Sequence, residues 1–320
     1  MSLILLRVEC ANPTPVISIA DGSVGVLVDK VEMRSQLSPS FSSDVEVNNA
    51  LYAGAATGFV IRNSVLEEDP ARPGGPGLNG SAQNPQPVPC YNTGKANFVF
   101  FLAASSDGIF QNNSILMGCN GWFGESARRI ILVENTFRAT GFNVSEGSGF
   151  NTLGNGLPST TDNALLRNLD IGNPLAYSDR DESFTSDGGI GAYYGPVAGR
   201  LGSRNVSLAT ALAKHAPNAA RTVTNWSTAG FLDVSGPAAG LLMEVASSEG
   251  KGVSLVGALP TALTADDVAT IIPWEGRTVI AGNTYINGSS IGFFGAAMQV
   301  VIADNSLFDM VRKRFFLSTF

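Results

Sequence analysis

Basic residues, histidine, cysteine and long apolar runs are what this 320-residue chain has least of. Its 5 lysines and 15 arginines stand against 27 acidic residues, giving a net charge of −7 and a pI near 4.8. A surface of that sign attracts no phosphate backbone, which excludes nucleic acid as the expected partner. No stretch approaches the roughly 18 consecutive apolar residues of a spanning helix, so no membrane span is expected. Residues 1–11, with an apolar run of only four from Leu3 to Leu6 before Arg7 and Glu9, do not read as an export signal. Cys10, Cys90 and Cys119 are too few and too scattered for a disulfide framework and lack metal-site spacing, which argues against zinc; a Cys90–Cys119 bridge and three free thiols both stay open. The single histidine, His215, has no Gly-x-Ser-x-Gly elbow to pair with, so a serine triad is not expected. Glycine-rich phosphate loops are missing too, and with them any sign of a nucleotide cofactor.

What the chain does have is 44% apolar residues, 36 glycines and 24 asparagines. That is core enough for one large or two small domains. Short β-branched or aromatic runs end in Gly, Asn, Ser or Asp nearly everywhere, so strands are expected throughout, with one helical-looking piece at 206–213. Aligning the runs on Asn63, Asn113, Asn135, Asn168, Asn205, Asn283 and Asn305 exposes a repeat. Three residues before the asparagine stands an apolar side chain in all but one segment (Val60, Phe110, Leu132, Leu165, Ile280, Ile302). Two of the intervals, Asn113 to Asn135 and Asn283 to Asn305, are 22 residues long, within the roughly 20–50 residue range of solenoid repeats. Each coil then reads as strand, asparagine corner, strand: asparagine tolerates a left-handed bend, and stacked side-chain amides bond to one another along the stack. Residues 99–108 and 241–250, each an apolar strand followed by a Ser-Ser-acid-Gly turn, fit the same coil.

With this pattern the chain resembles the right-handed parallel β-helix, or pectin-lyase-like, superfamily. The resemblance implies an all-β chain forming one single-stranded solenoid over 1–320, with an asparagine ladder, long side loops and about ten coils. Intervals longer than the repeat mark loop insertions near 67–97, 141–162, 172–199, 209–235 and 258–275, and loops on one side of a solenoid usually build its binding face. The N-terminal strands start without a cap, which leaves that end open to an oligomer partner.

The densest ionisable cluster is 178–189, with Arg180, Asp181, Glu182 and Asp187 in a chain only 15% charged. Carboxylates paired across a turn are what glycoside hydrolysis needs. A base beside a cation, for which Arg180 or Arg200 qualifies, suits elimination from a uronide. An ordinary solvated loop is the plain alternative. A calcium ion is a third reading of so many oxygens, although the calcium-hand spacing is absent and no metal or cofactor is otherwise indicated. Trp122, Tyr193 and Tyr194 offer flat rings for stacking on sugars, and Glu125 and Arg200 would line the same groove. The resemblance implies polysaccharide substrates, although the Asp-Asp, Gly-His-Gly and Arg-x-Pro-x-x-Arg elements of its pectinolytic members are absent. The expected function is a secreted or cell-surface enzyme cleaving a polysaccharide by hydrolysis or elimination, with catalytic Arg180, Asp181, Glu182 and Asp187. The alternative is a non-catalytic adhesin, surface or phage-fibre module that binds glycans.

Overall fold

A computed structural model describes residues 2–10, 17–35, 51–68, 98–103, 105–116, 120–123, 127–138, 144–147, 160–171, 182–187, 193–212, 226, 229–259, 263–265, 267–272, 274–287, 290–294, 297–309 and 316–317. Among these residues every regular element is a β-strand, and most pairing is parallel. The chain winds so that each turn adds one strand to each of three ladders. One ladder runs through the start of Leu27–Ser35, then Val60–Arg62, Ile109–Gln111, Ile131–Val133, Ala164–Leu166, Val279–Ala281 and Val301–Ala303. The next takes the end of Leu27–Ser35, then Val65–Glu68, Ser114–Leu116, Thr136–Arg138, Leu169–Ile171, Thr284–Ile286 and Ser306–Phe308. The third runs from Ile17–Ile19 through Leu51–Gly54, Phe98–Ala103, Asn120–Phe123, Val144–Gly147, Glu182–Asp187 and Ser290–Phe294 to Phe316–Leu317. The described residues contain seven complete windings, beginning at 17, 51, 98, 120, 144, 182 and 290, against the about ten expected.

Alternation along such short strands sends every second side chain inward. Val28, Ile61, Phe110, Leu132, Leu165 and Ile280 form one interior column, and Met33, Leu66, Ile115, Phe137, Asp170 and Tyr285 another; all are buried. Burying one such apolar side chain contributes about 1.5–3 kcal/mol. Because each column is continuous, that gain depends on a winding having neighbours above and below.

Two corners per winding keep the ladders in register. At one, Lys30, Asn63, Asn112, Glu134, Arg167, Gly282 and Asp304 are left-handed; at the other, Gly25, Gly58, Asp107, Arg129, Asp162, Arg277 and Gln299 are. The left-handed residue turns its N–H along the stack, where it donates to the next winding: Asn63 to Gln111 O, Asn112 to Val133 O, Glu134 to Leu166 O, Arg167 to Ala281 O. The buried asparagines come immediately after this bend. From Asn135 on, each accepts on Oδ1 from the backbone N and the Nδ2 of the asparagine in the winding before, as Asn135 does from Asn113 at 3.0 and 2.9 Å. Its own Nδ2 then donates to the next amide and back to a backbone carbonyl, for example Asn135 to Asn168 and to Phe110 O, both at 3.0 Å. Both lone pairs and both N–H groups of the amide are thereby used.

This geometry corrects the sequence alignment in two places. Val60 pairs with Ile109 and Ile61 with Phe110, so Asn63 aligns with Asn112 and the ladder position of that winding is Ser64. Ser64 Oγ accepts from Val31 N and its backbone N donates to Asn113 Oδ1, so a hydroxyl starts the amide ladder. Asn205 is not in the ladder at all. It opens the strand Asn205–Leu208, which replaces the helical piece expected at 206–213.

That strand belongs to a second structure inserted into the sixth winding. Tyr193–Arg200, Asn205–Leu208, Gly252–Leu255, Leu242–Glu249, Gly230–Asp233 and Val268–Ile272 close into an antiparallel barrel with its own core, including Val197, Val206, Phe231, Val245, Ala269 and Ile271. Residues 241–250 are therefore barrel strand, not a coil like 99–108. Strands also run through parts of 141–162, 172–199, 209–235 and 258–275, stretches expected as side loops. Residues 69–97 of the first expected insertion lie outside the described set.

Candidate functional site

Arg180, Asp181, Glu125, His215, Cys90 and Cys119 lie outside the described residues. Glu182 and Asp187 are the two ends of the strand Glu182–Asp187 in the third ladder, and Trp122 sits in Asn120–Phe123 two windings earlier. Register places Trp122 in line with Ser145, Thr185 and Gly292. Asp187, two positions beyond Thr185, pairs with Gly147 and Phe294. Between Glu182 and Phe184 the register shifts.

The strand Tyr193–Arg200 separates the other three candidates. Tyr193 points into the barrel, where its hydroxyl donates to Pro196 O and accepts from Ala209 N. It holds the core. Arg200 is exposed, and its Nε donates to Gly202 O at 2.8 Å within its own turn. Tyr194 points outward and is 78% exposed. Cross-strand pairing extends from Tyr194 to Thr270, Leu232 and Leu242 in one row, with Pro196 opposite Val268 beside it. This part of the outer barrel face is apolar and presents an open phenol ring, the arrangement that suits a sugar's apolar side.

The same face meets the wound stack at Gly230. A Cβ there would lie 2.8 Å from Trp274 Cδ1 and 3.1 Å from Leu242 Cδ1, so only glycine lets the buried indole settle on the barrel. Arg277 lies over the Trp274 ring at 5.0 Å and makes two bonds to Asp162, at 2.6 and 2.7 Å. The Asp162 partner holds the Arg277 guanidinium above its ordinary pKa, while burial lowers that of half-buried Arg128, opposed by the nearby charge of Glu244. Two guanidiniums, an indole and a carboxylate from the barrel therefore gather at this seam. From sequence Arg128 reads only as a groove-lining residue beside Glu125 and Arg129, and Trp274, Arg277 and Glu244 carry no signal, because what joins them is long-range packing across an insertion.

Elsewhere the carboxylates of the stack are tied down. Arg129 grips Asp107 through Nε and Nη2 at 2.6 and 2.8 Å, Arg167 bonds Glu134, and Arg62 with Asn63 bonds Asp29. Those hydrogen bonds hold the carboxyls of Asp29 and Asp107 below their ordinary range, and Arg277 does the same for Asp162 against the opposing effect of burial. Asp170 is buried inside the stack beside Tyr285, whose phenol is pushed far above its usual range by burial and then by Asp170. Asp233 is fully buried in the barrel, and burial, with Asp267 nearby, raises its carboxyl above the ordinary value. Asp170 had a visible signal: it occupies the second position after Asn168, where most segments carry an apolar residue. Asp233 had none.

Among the described residues no group of three or more His, Cys, Asp or Glu side chains could hold a metal ion, and no helix is long and apolar enough to cross a membrane. Compared with known proteins, the chain matches no family model, and no curated protein matches its sequence.

Proposed function

We propose that the wound stack is a right-handed parallel β-helix and that the protein is a secreted or cell-surface carbohydrate-active protein that cleaves a polysaccharide. Right-handedness rests on the strong bias of parallel crossover connections toward that hand. The observation that carries the function is the outer barrel face, where exposed Tyr194 stands in an apolar row that continues to the Trp274, Arg277 and Arg128 seam. Ring stacking combined with guanidinium charge favours an acidic glycan over a neutral one. Glu182 and Asp187 lie on the strand that precedes Tyr193–Arg200, so the proposed chemistry, with Arg180 and Asp181 beside them in sequence, is carried by the segment leading into the binding face.

A panel of neutral and acidic polysaccharides, followed for new reducing ends and for the ultraviolet absorbance of unsaturated uronides, tests the reading. Reducing ends with absorbance mean elimination and make Arg180 and Arg200 the first variants; reducing ends alone mean hydrolysis and point to Asp181, Glu182 and Asp187. No product from any polymer contradicts the enzyme.

A second reading, a non-catalytic glycan-binding module, has its own support. Asp29, Asp107, Glu134 and Asp162 are all engaged by arginine, and a carboxylate so held is a poor proton shuttle. Retention on a glycan without turnover is the result that favours it.

A further inference from the structure

We infer that Asp233 and Asp267, at one end of the barrel, form a binding site for a hard divalent cation of the calcium class. Asp233 ends the strand Gly230–Asp233, and Asp267 immediately precedes Val268–Ile272; the two strands are paired, with Asp233 opposite Ala269. Both residues are buried, Asp233 completely. Each carboxylate spends one oxygen on its own loop: Asp233 Oδ1 accepts from Ser235 N at 3.3 Å, and Asp267 Oδ2 accepts from Thr264 N at 2.8 Å. Asp233 Oδ2 is left buried with no hydrogen-bond partner. The remaining oxygen, Asp267 Oδ1, packs so closely on Gly236 that a Cβ there would lie only 2.1 Å from it.

An orphaned buried carboxylate oxygen calls for an unseen partner, since leaving it bare costs the full desolvation of that atom. At Asp29, Asp107, Glu134 and Asp162 the carboxylate's partner is an arginine. Here the charged neighbour of Asp233 is a second carboxylate, which makes matters worse. A calcium-class ion takes oxygen ligands only, accepts irregular geometry and completes its shell with water. Gly236 and Thr264, both exposed, touch Asp267, which gives the ion a way in from solvent. The loop at 234–241 and the turn at 264–267 would then be fastened to each other through the ion.

The test is thermal unfolding of the full chain after chelation, then with calcium, magnesium or potassium chloride at matched ionic strength, for wild type, Asp233→Asn and Asp267→Asn. The inference expects calcium at a hundredfold excess over Kd to raise the wild-type Tm by roughly 5 °C or more. Both variants should lose that rise. Asp233→Asn keeps the shape of the side chain and removes the repulsion, so it should fold and unfold at a higher Tm than chelated wild type. A wild-type Tm indifferent to every cation but rising as the pH is lowered would assign the missing partner to a proton and overturn the inference, as would a calcium shift that survives in Asp233→Asn. Neither result touches the glycan reading, whose ring-stacking residue, Tyr194, is on the outer face.

Discussion

At the scale of single residues, the amides buried in the stack matter out of proportion to their size. Removing the Asn135 side chain takes the acceptor from Asn113 N and one hydrogen bond each from Asn113 Nδ2, Phe110 O and Asn168 Oδ1, all at a buried corner. Each such loss costs about 1–3 kcal/mol, so Asn135→Ala should lower stability by at least ~3 kcal/mol in denaturant titration. Asn135→Asp should be as damaging above the carboxyl's pKa, because an acceptor-only group would face Phe110 O and Asn168 Oδ1. A loss no larger than that of an exposed substitution would contradict the ladder's role. The acid side of stability follows from the aspartates at or near the corners. Asp29, Asp107 and Asp162 have folded pKa values below their unfolded ones, so their contribution is complete above about pH 4 and fades as pH falls through the folded values. Thermal unfolding from pH 7 to pH 2 should show Tm falling mainly below pH 4, and Asp107→Asn should flatten part of that fall.

At the scale of elements, a winding is a short strand, a left-handed corner and another short strand, and its tolerance is set by what lies directly above and below. Gly108 precedes Ile109–Gln111, and a Cβ there would come within 2.2–2.7 Å of three ring carbons of Phe59. Phe59 is fully buried and meets Phe110 edge to face at 6.2 Å, so its ring cannot swing aside. Gly108→Ala should therefore cost about 1–3 kcal/mol by overpacking, read as a lower denaturant midpoint with an unchanged slope. This scale also explains how far the sequence could be read. Ladder asparagines, two pairs of them 22 residues apart, are legible because little else puts an amide between two inward apolar positions. The register of the second winding was not, because both Asn63 and Ser64 can satisfy a corner and the choice is made by Ile61 packing against Phe110. The left-handed position was hidden for a similar reason: Glu134, Arg167, Arg129 and Arg277 hold it, residues that favour no such bend and that earn their place through ion pairs along the stack.

At the scale of the whole molecule, two separate cores meet at one seam. The stack core and the barrel core share no residue, and Trp274 against Gly230, with Arg277 above it, marks the contact. Calorimetry should give two overlapping transitions, and Trp274→Ala should move them further apart; one transition with equal calorimetric and van't Hoff enthalpies would contradict this division. The barrel is also where sequence reading was weakest. Antiparallel pairing between strands as distant as Tyr193–Arg200 and Val268–Ile272 leaves no period to find, and an Asn-bearing turn at 201–205 imitates a coil corner. Of the nominated site, Tyr194 and Arg200 are exposed on the barrel, Tyr193 is spent on its core, and Trp122 and Asp187 lie on strands of one ladder, two windings apart.

The most direct test of the account is retention of wild type and Tyr194→Ala in native gels cast with acidic and neutral polysaccharides, beside their melting curves. Tyr194 makes no interior contact, so its loss should leave Tm unchanged while weakening binding to an acidic polymer about tenfold, the equivalent of ~1.4 kcal/mol. Equal retention of the two proteins on every polymer that binds, or none binding at all, would contradict a glycan on the barrel face.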